Sequence, residues 1–237
     1  FSMATLANLM LEPFAPSLAL PRRVGMSLLA ALPELLIFLG VTWILLRYLH
    51  RASLREIGFP PGRDAVRELA LFGFGGAVAV SLTVLPLVAL GGGAFRQSEP
   101  RIQSWATAAL CVGLLALAAA AEEVLARGYG FQTLVQPLHW TGALLVSNGV
   151  FAALHMNNRN ANEFSIANTF LAGCVLGMLL MVRQNLWAPI GAHFGWNLAT
   201  PLLGVNLSGL PLQLTRYSIE WRWDPHWTGG GYGPEAG

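Results

Sequence analysis

The sequence predicts an all-α fold: a polytopic transmembrane bundle of about six helices, with short interfacial helices at its edges. Composition is the first observation, because 54% of the 237 residues are hydrophobic and only 11% are charged. A soluble domain covers its surface with about 25% charged residues, so the outer surface of this chain is expected to face lipid. The second observation is a series of long apolar runs, which approach the roughly 20 residues that a bilayer-spanning helix needs.

Six apolar runs define the predicted spans. They lie at 24–46, 69–90, 105–121, 142–155, 164–182 and 186–205. The run at 142–155 is shorter than a full span, which suits a helix buried among other helices or a re-entrant helix. Before the first span, residues 1–23 are apolar but contain prolines and Glu12, which indicates an interfacial segment. The tail at 206–237 is polar and aromatic, and its tryptophans are expected to lie at the membrane interface.

The whole chain, 1–237, is predicted to be one integral-membrane domain, because it shows no internal repeat and no second domain. The arginine distribution predicts its orientation. Five arginines lie between residues 47 and 68, and no other loop holds more than two. Because cytoplasmic loops carry the excess of basic residues, this loop is expected to be cytoplasmic. The net charge of +2 is too small to indicate a nucleic-acid partner.

Ionisable and polar side chains inside predicted spans are the main functional signal. A charged side chain at the centre of a membrane helix costs about 2.5–3.5 kcal/mol on insertion scales, so such residues are functional candidates by default. The sequence has four clusters of them. They are Glu122-Glu123 with Arg127, Phe151 with His155, His193 with Asn197, and Glu34 beside Pro33.

Helical spacing separates two roles within the first cluster. Residues four apart share a helix face, so Glu123 and Arg127 are predicted to form an ion pair. Glu122 lies about 100° around the helix from Glu123 and is left without that partner. A buried carboxylate without a full partner suits a general base. Glu122 is therefore predicted to take part in chemistry, whereas Glu123 is predicted to serve mainly structure.

The histidine clusters supply the groups that complement such a carboxylate. Imidazoles can orient a water molecule, shuttle its proton or bind a metal. His193 and Asn197 share a helix face, and an amide can donate a hydrogen bond to a developing oxyanion. With Glu122 and His155, these are the parts needed to hydrolyse an amide bond without a serine or cysteine nucleophile.

Each cluster also has a purely structural interpretation. The acidic pair with its arginine could be an ion-pair cluster at a helix end, and a lone histidine in an apolar segment is commonly a hydrogen-bonded core residue. The His193 cluster could join two helices by hydrogen bonds. Glu34 is interpreted as structural, because it could satisfy backbone groups that Pro33 frees. The other three clusters lie on three separate predicted helices, and together they supply the groups that hydrolysis needs. Their co-occurrence favours a catalytic role over a structural one.

The three motifs resemble those of the CAAX-protease and bacteriocin-processing (CPBP, or ABI) family, and they occur in the same order. They are Glu122-Glu123-x-x-x-Arg127, Phe151-x-x-x-His155 and His193-x-x-x-Asn197. The stretches at 168–173 and 186–197 are similar to the family as well, and a tail with Gly233-Pro234-Glu235 is similar to that of bacterial members. The resemblance covers about residues 105–204, which is the predicted catalytic core.

The resemblance implies an intramembrane endopeptidase of the type II CAAX prenyl endopeptidase kind. By position, Glu122 would activate water with the aid of His155, and His193 with Asn197 would bind the oxyanion. The supporting residues would be Glu123, Arg127 and Phe151. Members are often called metalloproteases, and Glu122, His155 and His193 are ligand types that would suit Zn²⁺ or another divalent metal. The glutamate–water mechanism needs no metal.

The implied substrate is a membrane-associated peptide or protein, processed in a CAAX-type reaction or in bacteriocin maturation or immunity. The absence of lysine and the compact length are typical of a bacterial member, so the expected location is the bacterial cytoplasmic membrane, with the site toward the cytoplasm. One alternative is a non-catalytic membrane scaffold or immunity protein of the same fold. A proton-coupled transporter is less favoured, because it should show paired halves with matching broken helices.

Overall fold

The computed structural model describes residues 20–98, 104–212 and 214–237, with side chains described from residue 31 onward. Its main architecture is a bundle of long helices, which confirms the all-α prediction. The helices are α1 (Leu20–Leu45), α2 (Arg63–Ala89), α3 (Trp105–Arg127), α4 (Tyr129–Leu154), α5 (Glu163–Arg183) and α6 (Trp187–Leu202). Most of the interfacial segment predicted at 1–23 lies outside the described residues, and its last residues begin α1.

Four segments of the described chain are long and apolar enough to cross a membrane. They are Ala31–His50, Arg63–Ala89, Trp105–Leu154 and Glu163–Arg183. The third segment contains both α3 and α4, and α6 has only 16 residues, which is fewer than the roughly 20 of a full span. A helical membrane bundle is therefore supported, whereas the count of about six spans is not confirmed.

Helix α4 differs from the short helix predicted at 142–155. It begins at Tyr129 and is bent at His139, whose φ of 56° and ψ of 172° are not helical. Pro137, two residues earlier, lacks a backbone N–H and prevents regular helical hydrogen bonding at this point. The half after the bend corresponds to the predicted short helix. It carries Phe151 and ends at Leu154, so that His155 is the first residue beyond it.

Close contact between α2 and α6 holds the second histidine helix in the bundle. A Cβ atom on Gly76 would collide with the backbone of Ala192, and one on Gly195 would collide with the backbone of Gly73. Such small residues let two membrane helices approach backbone to backbone. Helix α6 is thereby pressed against α2.

A two-stranded antiparallel sheet was not predicted. Strand β1 (Gly93–Gln97) pairs with β2 (Tyr217–Trp221), and Gly93 lies opposite Trp221. The strands are short and far apart in sequence, so no hairpin signal joins them. After β2, the tail forms a short helix, α7 (Pro225–Thr228), and a 3₁₀ turn at Pro234–Ala236. The predicted tail is thus a folded part of the structure.

Candidate active site

Three helices carry the predicted site residues. The acidic pair and Arg127 lie in the last turns of α3, after a run in which Ala118, Ala119 and Ala121 are buried. His155 directly follows α4, and His193 and Asn197 lie in α6. Glu122, Glu123, Arg127, His155 and Asn197 are buried, and His193 is half-buried.

Glu122 faces both histidines. Its Oε2 atom lies 3.8 Å from Nε2 of His155 and 3.8 Å from Nε2 of His193. These separations exceed a direct hydrogen bond of about 2.7–3.2 Å, and they suit one small group that bridges all three side chains. Within the described residues, Oε2 has no hydrogen-bond partner. One carboxylate oxygen and two imidazole nitrogens therefore point toward a common position.

The backbone determines which nitrogen of His155 carries the proton. Its Nδ1 atom lies 2.8 Å from the carbonyl oxygen of Phe151. A carbonyl oxygen only accepts hydrogen bonds, so Nδ1 must donate, and in the neutral ring Nε2 then has a free lone pair. The rings of Phe151 and His155 also contact each other, with centroids 4.6 Å apart and an interplanar angle of 51°. Phe151 thus orients the imidazole so that its basic nitrogen faces Glu122.

His193 is oriented by Glu123. Its Nδ1 atom lies 2.8 Å from Glu123 Oε1, and Arg127 Nη1 donates to the same oxygen at 3.1 Å. The predicted ion pair between Glu123 and Arg127 is therefore present. Glu123 does more than the prediction assigned to it, because it also holds one of the two histidines. Helical spacing could not reveal this contact, since it joins α3 to α6.

Arg127 ties three helices together beneath the site. It is fully buried, and its Nη2 atom donates to Asn148 Oδ1 at 2.8 Å and to the carbonyl oxygen of Gly173 at 2.9 Å. Its guanidinium also lies 4.6 Å from the centroid of the Phe151 ring. Asn148 was not identified from the sequence. The available signal was a lone amide in the apolar run of α4, one turn before Phe151.

The charges of this cluster nearly balance. Glu122 and Glu123 bring two carboxylates, and Arg127 brings one guanidinium. A buried charge needs a partner because the interior solvates it poorly. With both carboxylates ionised, a proton on one of the two histidines would make the cluster neutral. One protonated histidine therefore leaves these side chains with no net charge.

Asn197 lies one helical turn beyond His193, on the same face of α6. It is 3% exposed, and its side chain makes no hydrogen bond to any described residue. Its amide is thus available to a bound group. Glu34, the remaining candidate, is half-buried in α1, which continues through Pro33.

The alternative nucleophiles are engaged or distant. Ser147 Oγ donates to the carbonyl oxygen of Ala126 at 2.5 Å. Cys111 is buried in an apolar cluster with Ala31 and Leu114, and Cys174 accepts a hydrogen bond from the Asn148 amide at 3.6 Å. Within the described part of the chain, none of these three side chains bonds to a histidine.

A metal centre at Glu122, His155 and His193 was the predicted alternative. In the ranges that the structure describes, no three or more His, Cys, Asp or Glu side chains are grouped so that they could hold a metal ion. The three donor atoms nevertheless converge, since each imidazole Nε2 lies 3.8 Å from Glu122 Oε2. The reaction proposed below is written with the side chains alone.

Comparison with known proteins identifies the region that carries this site. The family described as Type II CAAX prenyl endopeptidase Rce1-like matches residues 104–199. This range begins at the N-cap of α3 and contains all three motifs. No curated protein and no solved structure shows significant similarity to the chain. With its four apolar segments, the chain is an integral membrane protein, and its residues 104–199 are similar to the Rce1-like type II CAAX prenyl endopeptidase family.

Proposed function

We propose that this protein is an intramembrane endopeptidase that cleaves a peptide bond by direct attack of water, with Glu122, His155, His193 and Asn197 as its catalytic residues. The observation that carries the proposal is the position of Glu122 Oε2, 3.8 Å from both histidine Nε2 atoms. A water molecule bound at this position would contact a carboxylate and an imidazole lone pair at once. Both groups can accept its protons.

The attack begins with proton transfer to Glu122. The carboxylate takes one proton from the water, and Nε2 of His155 accepts a hydrogen bond from the other O–H. The water oxygen forms a bond to the carbonyl carbon of the substrate, and the carbonyl π electrons move to its oxygen. His155 is held in the required tautomer by Phe151, because its Nδ1–H is bound to that backbone carbonyl at 2.8 Å.

The opposite side of the site would stabilise the oxyanion. His193 donates through Nδ1 to Glu123 at 2.8 Å, so a proton on Nε2 makes it a cation whose charge Glu123 balances. That Nε2–H and the amide of Asn197 can both donate to the oxyanion. When the intermediate collapses, the C–N bond breaks and the protonated Glu122 returns its proton to the leaving amine.

The proposed substrate is a membrane-associated peptide or protein, in a CAAX-type reaction or in bacteriocin or immunity-related processing. The family match supports this class. The proposed location is a bacterial cytoplasmic membrane, with the site toward the cytoplasm. The arginines of the loop between α1 and α2 support that orientation, because basic loops remain on the cytoplasmic side.

The test is a peptidase assay in proteoliposomes on a library of quenched peptides. Glu122→Gln should lower kcat/KM by about 10²–10⁴-fold, the range expected when a general base is removed. Glu220→Gln makes the same chemical change at an exposed residue of β2 and should retain full activity. Equal activity of wild type and Glu122→Gln would contradict the proposal. A wild type no more active than empty liposomes would favour the non-catalytic scaffold.

A further inference from the structure

Glu235 is an acidic residue that the proposed mechanism does not use. It lies in the 3₁₀ turn Pro234–Ala236 near the end of the tail and is half-buried. Gly233 precedes this turn with a φ of 120°, a conformation that side chains rarely adopt. A Cβ atom there would also collide with the carbonyl oxygen of Asn206. The backbone is thus specifically built to direct the tail back onto the bundle at Glu235.

Three donors bind the Glu235 carboxylate. Trp196 Nε1 donates to Oε1 at 3.1 Å, and the backbone N–H and the hydroxyl of Ser208 donate to Oε2 at 2.7 and 2.9 Å. An indole N–H and a backbone N–H can only donate, so this environment suits the ionised carboxylate. The pKa of Glu235 is raised above its ordinary value by burial, and these hydrogen bonds act in the opposite direction.

These contacts reach two of the three motifs. Trp196 directly precedes Asn197 in α6. On the other side, the backbone N–H of Asn158 donates to the carbonyl oxygen of His155 at 3.0 Å, and the Asn158 amide lies 3.4 Å from the carbonyl oxygen of Ser208. The Glu235 carboxylate therefore contacts the α6 motif through Trp196, and it is linked to the His155 turn through Ser208 and Asn158.

We propose that Glu235 is a positioning residue of the active site, which holds Trp196 and thereby keeps Asn197 and His155 in register across the site. The inference rests on the proposed function. Glu235 need not touch the substrate, so it should affect the chemical step more than substrate binding. A displacement of about 1 Å in a catalytic group can lower the rate by as much as 10²-fold.

The first test compares Glu235→Gln with wild type in the same proteoliposome assay. The amide keeps the size of the side chain, and its single oxygen is expected to face the two donors of Ser208. The N–H₂ then faces the Trp196 Nε1–H, so the hydrogen bond to Trp196 is lost. We expect kcat to fall on the order of 10-fold, KM to stay within about twofold, and the melting temperature and folded yield to match wild type. Glu220→Gln is the matched control, since it neutralises an exposed glutamate of the same tail. An unchanged kcat in Glu235→Gln would overturn the proposal, as would a loss fully explained by a smaller folded fraction.

A double-mutant cycle with Trp196→Phe separates positioning from general stability. If Glu235 acts through Trp196, Glu235→Gln should lower kcat far less in the Trp196→Phe background than in wild type. Equal losses in both backgrounds would overturn the proposal. The cycle also keeps the proposal testable if Glu235→Gln folds poorly. Trp196→Phe removes the indole N–H that the new amide would face, so the double variant avoids two donors facing each other. An inactive Glu122→Gln with an unaffected Glu235→Gln would reject this inference alone, whereas a fully active Glu122→Gln would reject the proposed function.

Discussion

Two ion pairs in this protein join the same chemical groups in opposite surroundings. Arg127 and Glu123 have side chains that are 1% and 0% exposed and lie 3.1 Å apart. Arg96 and Glu220, which lie diagonally across the β1–β2 sheet, are 61% and 60% exposed and lie 2.6 Å apart. The exposed pair is shorter, yet water solvates each of its charges when they separate. In the buried pair, no water replaces a lost partner. Burial therefore predicts the cost of breaking each ion pair better than the distance between its charges does.

The two ion pairs also differ in how many other residues they bind. The buried arginine also binds Asn148 and Gly173, and the buried glutamate also binds His193. Loss of the buried ion pair would therefore disturb α3, α4, α5 and α6 together. The exposed pair joins only two strands of a small sheet at the edge of the bundle. The predictions below test this contrast.

Replacing Arg127 should have the largest effect on the fold. Arg127→Ala leaves Glu123 buried without its cation and removes two further hydrogen bonds. Breaking a buried ion pair in this way costs about 3–5 kcal/mol, so folded yield and melting temperature should fall sharply and activity should be lost. Yield after detergent extraction and thermal unfolding are the measurements. A well-folded, fully active Arg127→Ala would show that burial does not make this pair essential.

A smaller effect is expected at Ser147. Its hydroxyl bonds to the Ala126 carbonyl at 2.5 Å, and losing such a bond costs about 0.5–1.5 kcal/mol. Ser147→Ala should thus be slightly less stable and should keep its activity, since the proposed reaction has no covalent acyl-enzyme. Serine- and cysteine-directed probes should not label the enzyme in a manner that substrate blocks. Inactivity of a folded Ser147→Ala, or substrate-protected labelling, would contradict water attack.

Glu34→Gln should have little effect on turnover. Glu34 is only half-buried in α1, and among the described residues it forms no ion pair with either histidine of the site. Removing its charge should change kcat/KM by less than about threefold. The measurement is the same peptide assay, run beside Glu122→Gln. A loss as severe as that of Glu122→Gln would make Glu34 part of the site.

Substitutions in the exposed ion pair of Arg96 and Glu220 should have the smallest effect. Glu220→Gln and Arg96→Gln each remove one partner, but the remaining charge stays in water. Arg96 holds the pKa of Glu220 below its usual value, so any stability that the pair contributes is present at neutral pH and is lost as the pH falls through that lowered pKa. Melting temperature at neutral pH and kcat should both match wild type. A clear drop in either would show that the sheet supports the site.

Sequence spacing predicted those parts of the site that lie within one helix. The four-residue interval joined Glu123 to Arg127, and the structure confirms that ion pair. The same rule could not connect Glu123 to His193 or Arg127 to Asn148, because each of these contacts joins two helices. It also could not show that Glu235 meets Trp196, since 39 positions separate them. Spacing along the chain does not show which residues of different segments come into contact.

The fold shows the same division. Apolar run length predicted the helical membrane bundle, because a run of that length has no other stable place than a bilayer or a buried core. It did not predict the bend of α4 at His139, the pairing of β1 with β2 or the folded tail. Those features depend on what lies opposite each segment. Gly93 opposite Trp221 is one case, and Glu235 beside Trp196 is another.

The fold class and the residues proposed for catalysis could be predicted from the sequence. Hydropathy and helical periodicity are local properties of the chain, and the three motifs are short stretches of sequence. That Glu122 faces both imidazoles while Glu123 orients one of them became evident only from the packing of the helices. Adjacent carboxylates differ by about 100° around a helix, and which neighbour each one meets depends on how α3, α4 and α6 pack.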